Sequence, residues 1–145
     1  MKKDSVVSAG KVLPIQLMYL TLFGAASLQK FFNFQQTVGH FQGLFKDSFI
    51  VNLPGGMAPQ VAMIAGTEFL IALLCLVSLF RKEFMAGACR VWITLALILS
   101  SLLFIQLGMG LRIIGDFQSA ANTFFYFGIT QILIYFLCQP SNQSS

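Results

Sequence analysis

The sequence has very little charge: 10% of its residues are Asp, Glu, Lys or Arg, against about 25% in a typical soluble domain. At the same time, 57% of the chain is hydrophobic and its mean hydropathy is +0.78. This balance argues against an ordinary soluble enzyme and predicts an integral membrane protein. The nine Lys and Arg residues occur singly or in pairs at the ends of apolar runs, so we expect no nucleic-acid-binding surface.

Residues that hold metals and redox groups are also scarce. The chain has one histidine, His40, so two histidines of one bundle cannot ligate a haem. Cys75, Cys89 and Cys138 have no CxxC spacing, which favours reduced packing residues over a thiol relay. The sequence contains no phosphate-binding loop, nucleophile elbow or metal-ligand cluster. We therefore expect no catalytic residues, no haem and no metal, and a protein that is not a stand-alone enzyme.

Long apolar runs are what the sequence does have. They predict an all-α, integral membrane four-helix bundle, because each run can cross the hydrocarbon core at ~1.5 Å per residue. The expected spans are residues 12–32, 58–80, 84–111 and 120–138, within one domain of residues 1–145. The basic start and the small residues 24–26 are also typical of a signal peptide, but the apolar run continues to Phe32, which favours a span.

Residues 33–56 are typical of neither a span nor a solvated loop. Phe34, Val38, Phe41 and Phe45 recur at helical spacing, while the residues between them are mostly polar. This pattern predicts an amphipathic segment between the first two spans that lies in the membrane interface or caps the bundle.

Positive charge predicts the orientation of the spans. Six Lys and Arg residues flank one side of the four spans and three flank the other. The first group is Lys2, Lys3, Lys11, Arg81, Lys82 and Arg90, and the second is Lys30, Lys46 and Arg112. Because cytoplasmic loops carry the excess of positive charge, we expect both termini to be cytoplasmic.

A single acidic residue, Glu68, lies near the middle of the second run. An ionised acid there costs about 2.5–3.5 kcal/mol to insert, and such residues usually face a protein interior and mark a ligand, a pathway or a partner charge. Counting inward from the outer end of each span brings polar residues of all four helices to one depth. We predict a small polar cavity that opens outward, with Glu68 as its floor. Its candidate residues are Glu68, Lys30, Arg112, Gln131, Gln106, Ser101 and Thr21.

Lys30 is the best candidate partner for Glu68. On ideal helix rise, however, the two Cα atoms differ in depth by roughly 13 Å, which makes direct contact marginal. Helix tilt, a water or a bound polar headgroup would close that gap. The alternative is structural: Ser, Thr and Gln only bridge helices, and Lys30 holds Glu68 for folding specificity.

Two segments resemble a known family. The end of the first span, FGAASLQKFFNF with Lys30, and the second span, TEFLIALLCLVSLFRK with Glu68, are similar to the DoxX family of small four-span bacterial membrane proteins. The resemblance implies a four-helix bundle in the bacterial inner membrane. Some members are named as membrane subunits of quinol oxidase or thiosulfate:quinone oxidoreductase systems.

The resemblance leads to one functional expectation and two alternatives. We expect a non-catalytic or quinone-contacting subunit of a membrane redox system, with quinone as the candidate cofactor. The expected partners are the lipid bilayer and other subunits of a redox complex; a homodimer is a further arrangement. The alternatives are a tetraspan scaffold or assembly factor without a ligand, and a transporter for a small polar solute. The transporter is disfavoured because the sequence has no internal repeat.

Overall fold

Every regular element in the described residues is helical, which confirms the expected fold class. The computed structural model describes residues 2–52, 54–85 and 88–138, without the side chains of residues 2–8 and 51. The helices are α1 (Lys2–Phe32), α2 (Phe34–Leu44), α3 (Ala58–Phe80), α4 (Val91–Ile113) and α5 (Phe117–Cys138), and a short 3-10 helix covers Phe49–Asn52.

Four of these helices, α1, α3, α4 and α5, are long and apolar enough to cross a membrane. The candidate spans are Ala9–Phe32, Ala58–Phe80, Val91–Ile113 and Phe117–Cys138. The outer face of α5 exposes Phe125, Tyr135 and Phe136 by about two thirds of their surface. A face of this kind suits lipid tails and interfacial headgroups. The chain is therefore a multi-pass membrane protein whose helices contact the bilayer.

Small residues let neighbouring helices approach. Inside a bilayer, close packing and hydrogen bonds hold helices together, because lipid tails are as apolar as leucine. A Cβ atom built on Gly24 of α1 would lie 3.9 Å from the Cβ of Ala72 on α3. A Cβ built on Gly108 of α4 would lie 3.1 Å from the Phe124 ring of α5. Gly108 thus forms the recess that receives this ring.

The four long helices follow one another around an apolar core. α1 packs on α3, α3 on α4, and α4 on α5. A hydrogen bond of 2.6 Å between the hydroxyls of Tyr19 and Thr130 joins α1 to α5. The core between them contains the buried side chains of Phe23, Ile71, Ile93, Leu97, Leu103 and Phe104.

Helix α2 covers one end of the bundle, which is one of the two positions that the spacing of its apolar residues predicts. Its Val38 and the following Phe45 are buried against Met57 and Val61 at the start of α3. The amphipathic segment between the first two spans is therefore a cap on the N-terminal end of α3 rather than a free loop.

The first and third spans begin elsewhere than expected. α1 begins at Lys2, so Pro14 lies inside the helix instead of in its first turn. α4 begins at Val91 rather than at residue 84, because Glu83 is used to cap it. The buried Glu83 carboxylate accepts hydrogen bonds of 3.0 Å from the backbone N–H groups of Trp92 and Ile93.

Glu83 also connects α3 to α1. Its carboxylate accepts a hydrogen bond of 2.6 Å from the Ser78 hydroxyl, which in turn accepts one of 2.6 Å from the amide of Gln16. An anion at the first turn of a helix is favourable, because the unpaired N–H groups and the positive end of the helix dipole both lie there. The acid therefore fastens α1, α3 and α4 at the end of the bundle opposite α2.

The turn between α4 and α5 is short because two motifs follow each other directly. Gly115 has φ +78° and donates to the carbonyl of Arg112, while Asp116 donates to the carbonyl of Leu111. These two bonds form a Schellman motif, which needs a residue such as glycine in the left-handed region. The Asp116 carboxylate then accepts a hydrogen bond of 3.0 Å from the Ser119 N–H, so α5 begins at Phe117 rather than at residue 120.

Candidate functional site

The centre of the candidate site is an ion pair between α1 and α3. Lys30 Nζ lies 2.8 Å from both Glu68 Oε1 and Glu68 Oε2. The Lys30 side chain is 19% exposed and the Glu68 side chain 6%. The carboxylate is thus shielded, whereas part of the Lys30 side chain remains accessible.

The expected depth difference of roughly 13 Å between these residues is wrong, because the ends of α1 and α3 are not level. Gly24 faces Ala72, so this contact fixes the register. From that level toward the α2 end of the bundle, Lys30 is six residues away and Glu68 four, a difference in depth of only ~3 Å. The same register makes α3 project ~9 Å beyond the end of α1. α2 packs on this projecting end.

A polar pocket lies over the accessible side of Lys30. Its volume is about 340 Å³, and its lining residues are Gln29, Lys30, Asn33, Gln36, Thr37 and His40. The helical hydrogen bonding continues through Asn33, whose N–H donates to Gln29 and whose carbonyl accepts from Thr37, although Asn33 has φ −115° and ψ 36°. The chain therefore bends at Asn33 without breaking, and the pocket follows this bend.

A second, apolar cavity lies under α2, between α2, α3 and α4. Its volume is about 270 Å³. Most of its wall consists of Phe, Leu, Ile and Met side chains, and its polar residues are His40, Gln60, Gln106 and Thr123. Gln60 Oε1 is buried and has no hydrogen-bond partner among the described residues. His40 lines both the cavity and the polar pocket, so the two spaces are neighbours.

Ser101 and Gln131, which were expected in the same cavity as Glu68, bind each other instead. Gln131 Nε2 donates a hydrogen bond of 2.9 Å to Ser101 Oγ. The Ser101 hydroxyl donates to the carbonyl of Leu97, one turn earlier on α4. Among the described contacts, this pair joins α4 to α5 and has no bond to Lys30 or Glu68, which suits a role in helix packing.

The remaining three predicted residues also lie apart from the ion pair. Gln106 lines the apolar cavity rather than the polar pocket. Arg112 is exposed, and its guanidinium carbon lies 5.1 Å from the centroid of the Phe117 ring. Thr21 is exposed on the outer surface of α1. Counting depth along each span does not show which face of a helix a residue occupies, and Thr21 is on the wrong face for a cavity.

The polar pocket has a sequence signal that the depth count did not use. Gln29, Asn33, Gln36 and His40 recur at steps of three or four residues across the join between α1 and α2. Such spacing puts them on one helical face, opposite the apolar stripe of α2. Reading these polar positions as one continuous helical face from Gln29 to His40 would have identified the pocket.

Comparisons with protein-family models, curated proteins and solved structures find no match for this chain.

Proposed function

We propose that this multi-pass membrane protein is a quinone-contacting subunit of a membrane redox system in the bacterial inner membrane, similar in kind to DoxX proteins. The observation that supports the proposal best is the apolar cavity under α2. A cavity of about 150 Å³ holds benzene, so about 270 Å³ accommodates a substituted or bicyclic ring.

The polar groups of the cavity suit the two oxygens of such a ring. The amides of Gln60 and Gln106 and the imidazole of His40 can donate hydrogen bonds to quinone carbonyls. An amide can also accept, and the unpartnered Gln60 Oε1 would be satisfied by a hydrogen bond from the hydroxyl of a quinol. An apolar wall with a small number of polar groups is typical of sites that orient a lipophilic ligand.

Photolabelling tests the proposal. The full-length chain in nanodiscs is irradiated with an azido-quinone, and the labelled peptides are identified by mass spectrometry. Leu107→Trp fills the cavity from α4 and should reduce labelling about tenfold, equivalent to a loss of ~1.4 kcal/mol of binding. The matched control is Leu102→Trp, because Leu102 is a leucine of the same helix whose side chain is 59% exposed.

Two results would contradict the quinone proposal. One is equal labelling of the Leu107→Trp variant and the Leu102→Trp control. The other is labelling only of lipid-facing residues of the native protein. The redox role itself is tested by comparing quinol-dependent oxygen uptake in membranes from cells with and without the protein. An unchanged rate would argue against it.

A scaffold without a ligand is the second candidate, and one observation favours it. Lys30 and Glu68 satisfy each other at 2.8 Å, so the buried acid does not require a ligand. In that case the double variant Lys30→Met, Glu68→Gln should support the same cellular function as the native protein, and quinone photolabelling should be absent.

A further inference from the structure

The polar pocket over Lys30 is not used by the proposed quinone site and has its own chemistry. Its wall contains three side-chain amides, from Gln29, Asn33 and Gln36, together with the hydroxyl of Thr37. Amides and hydroxyls both donate and accept hydrogen bonds. This lining complements a ligand that also donates and accepts at several points, as a sugar or glycerol does.

The ion pair determines the charge of the pocket. Among the described residues, Lys30 is the only Lys, Arg, Asp or Glu that lines it, and the Glu68 carboxylate balances the Lys30 ammonium at 2.8 Å. A phosphate group bound to Lys30 would have to share that ammonium with Glu68, and two anions so close to each other repel. The pair therefore disfavours an anionic ligand while leaving the pocket able to form hydrogen bonds.

The position of the pocket points to a lipid as the source of the ligand. Lys30 lies in the last turn of α1, the end of a candidate span. The next two residues, Phe31 and Phe32, are 55% and 83% exposed. Aromatic side chains at the end of a span lie at the level of the lipid headgroups. A headgroup can thus enter the pocket while its acyl chains remain in the bilayer beside α1.

From these observations we propose that the polar pocket binds the uncharged, hydroxyl-rich headgroup of a membrane lipid, and that Glu68 sets this preference by neutralising Lys30. Glu68 is a specificity-determining residue in this arrangement, since it acts on the ligand through the charge of Lys30. The site is separate from the quinone cavity, although His40 forms part of the wall of both.

Lipid retention measured by native mass spectrometry tests the site. The full-length protein is incorporated into nanodiscs that contain equal amounts of a diglucosyl diacylglycerol and a phosphatidylglycerol with the same acyl chains. Both headgroups carry hydroxyls, but only the second is anionic. The native protein should retain the glycolipid about tenfold more, which corresponds to ~1.4 kcal/mol. Equal retention, or a preference for phosphatidylglycerol, would overturn the proposal.

Two α2 variants locate the binding to the pocket without disturbing the ion pair. Gln36→Leu removes a lining amide and should lower glycolipid retention by about fivefold, the loss expected for one hydrogen bond of ~1 kcal/mol. Gln42→Leu changes an exposed glutamine of the same helix that does not line the pocket, and it should retain the glycolipid as the native protein does. Equal retention by the two variants would mean that the lipid binds elsewhere.

The charge argument has its own test. Glu68→Gln leaves Lys30 unpaired, so the preference should change to phosphatidylglycerol, and the further substitution Lys30→Met should abolish that preference. Phosphatidylglycerol retention that is unaffected by Glu68→Gln would contradict the role of Glu68.

If this variant does not fold, the Gln36 and Gln42 variants still decide whether the site exists. Complete displacement of the glycolipid by free maltose would overturn the assignment to a lipid. None of these measurements depends on quinone binding.

Discussion

At the scale of single residues, the Lys30–Glu68 pair shows why a buried ion pair is not automatically stabilising. Removing two charges from water is costly, and their attraction repays this only when the geometry is good. Here one ammonium bonds to both carboxylate oxygens, which is good geometry. Loss of one partner leaves an unpaired charge in an apolar bundle, whereas loss of both leaves no charge to be buried.

A double-mutant cycle measures this asymmetry. Glu68→Gln or Lys30→Met alone should lower the free energy of unfolding in detergent by about 3–5 kcal/mol, and the double variant should recover most of that loss. Lys46→Met, which removes an exposed lysine between α2 and α3, serves as the control and should have little effect. If the two single losses simply add in the double variant, the residues are not coupled.

Asp116 provides a pH-dependent contribution to stability. Its hydrogen bonds with the side chain and backbone N–H of Ser119 lower the pKa of its carboxyl group from the ordinary value of 3.8. The folded state therefore binds the proton less readily than the unfolded state does. The resulting stabilisation is present above pH 3.8 and is lost as the pH falls through the lower folded-state pKa.

Asp116→Ala should accordingly lower the Tm at neutral pH, and its difference from the native protein should disappear in strong acid. Asp116→Asn is the control, because asparagine also caps a helix but does not titrate there. Thermal unfolding in detergent between pH 7 and pH 2 measures the two differences. A constant difference for Asp116→Ala over that range would show that the carboxylate does not stabilise the turn.

At the scale of helices, α5 is held mainly by its contact with α4. Gly108 receives the Phe124 ring, and the Ser101–Gln131 hydrogen bond lies farther along the same contact. In each pair the two residue numbers sum to 232. Facing residues of two antiparallel helices keep a constant sum, so the two pairs share one register. A change at either pair should therefore act on the same helix contact.

Gly108→Leu should separate α4 from α5, because even the first added carbon lies 3.1 Å from two atoms of the Phe124 ring. We expect a loss of about 1–3 kcal/mol in the free energy of unfolding, the usual cost of overpacking. Combining it with Phe124→Ala should restore part of the loss. The matched control is Gly66→Leu on α3, where an added Cβ has no neighbour within 4 Å. Equal losses at the two glycines would indicate a general effect of replacing glycine.

At the scale of the whole molecule, α2, the polar pocket and the apolar cavity all lie at the end of the bundle that contains Lys30. Positive residues on the two sides of the spans number six and three. This distribution predicts that the α2 end faces away from the cytoplasm. The proposed lipid and quinone sites would then lie near the outer leaflet.

Cysteine labelling and a reporter fusion check this orientation. In a cysteine-free background, Asp47→Cys should react with an impermeant thiol reagent added to whole cells, since Asp47 is exposed beyond α2. Lys82→Cys, at the exposed turn after α3, should react only after the cells are opened. A cytoplasm-active reporter fused at Ser145, a position outside the described residues, should be active. The reverse labelling pattern would invert the topology.

The sequence by itself determined the number of spans, the all-α class and the amphipathic character of the segment between the first two spans, because apolar length and helical spacing are local properties of the chain. It also identified Lys30 and Glu68 as candidate partners. The sequence did not determine which helix ends are level. That depends on how Gly24 and Ala72 pack, a contact between residues far apart in the chain.

Only the tertiary structure decided which polar residues share a site. Lys30 meets Glu68, Ser101 meets Gln131, and Thr21 remains on the outer surface. Depth along a span can be counted from the sequence, but the rotation of each helix about its axis is set by its neighbours. Small residues and hydrogen bonds fix that rotation in a bilayer, where apolar burial alone gives little preference among helix faces.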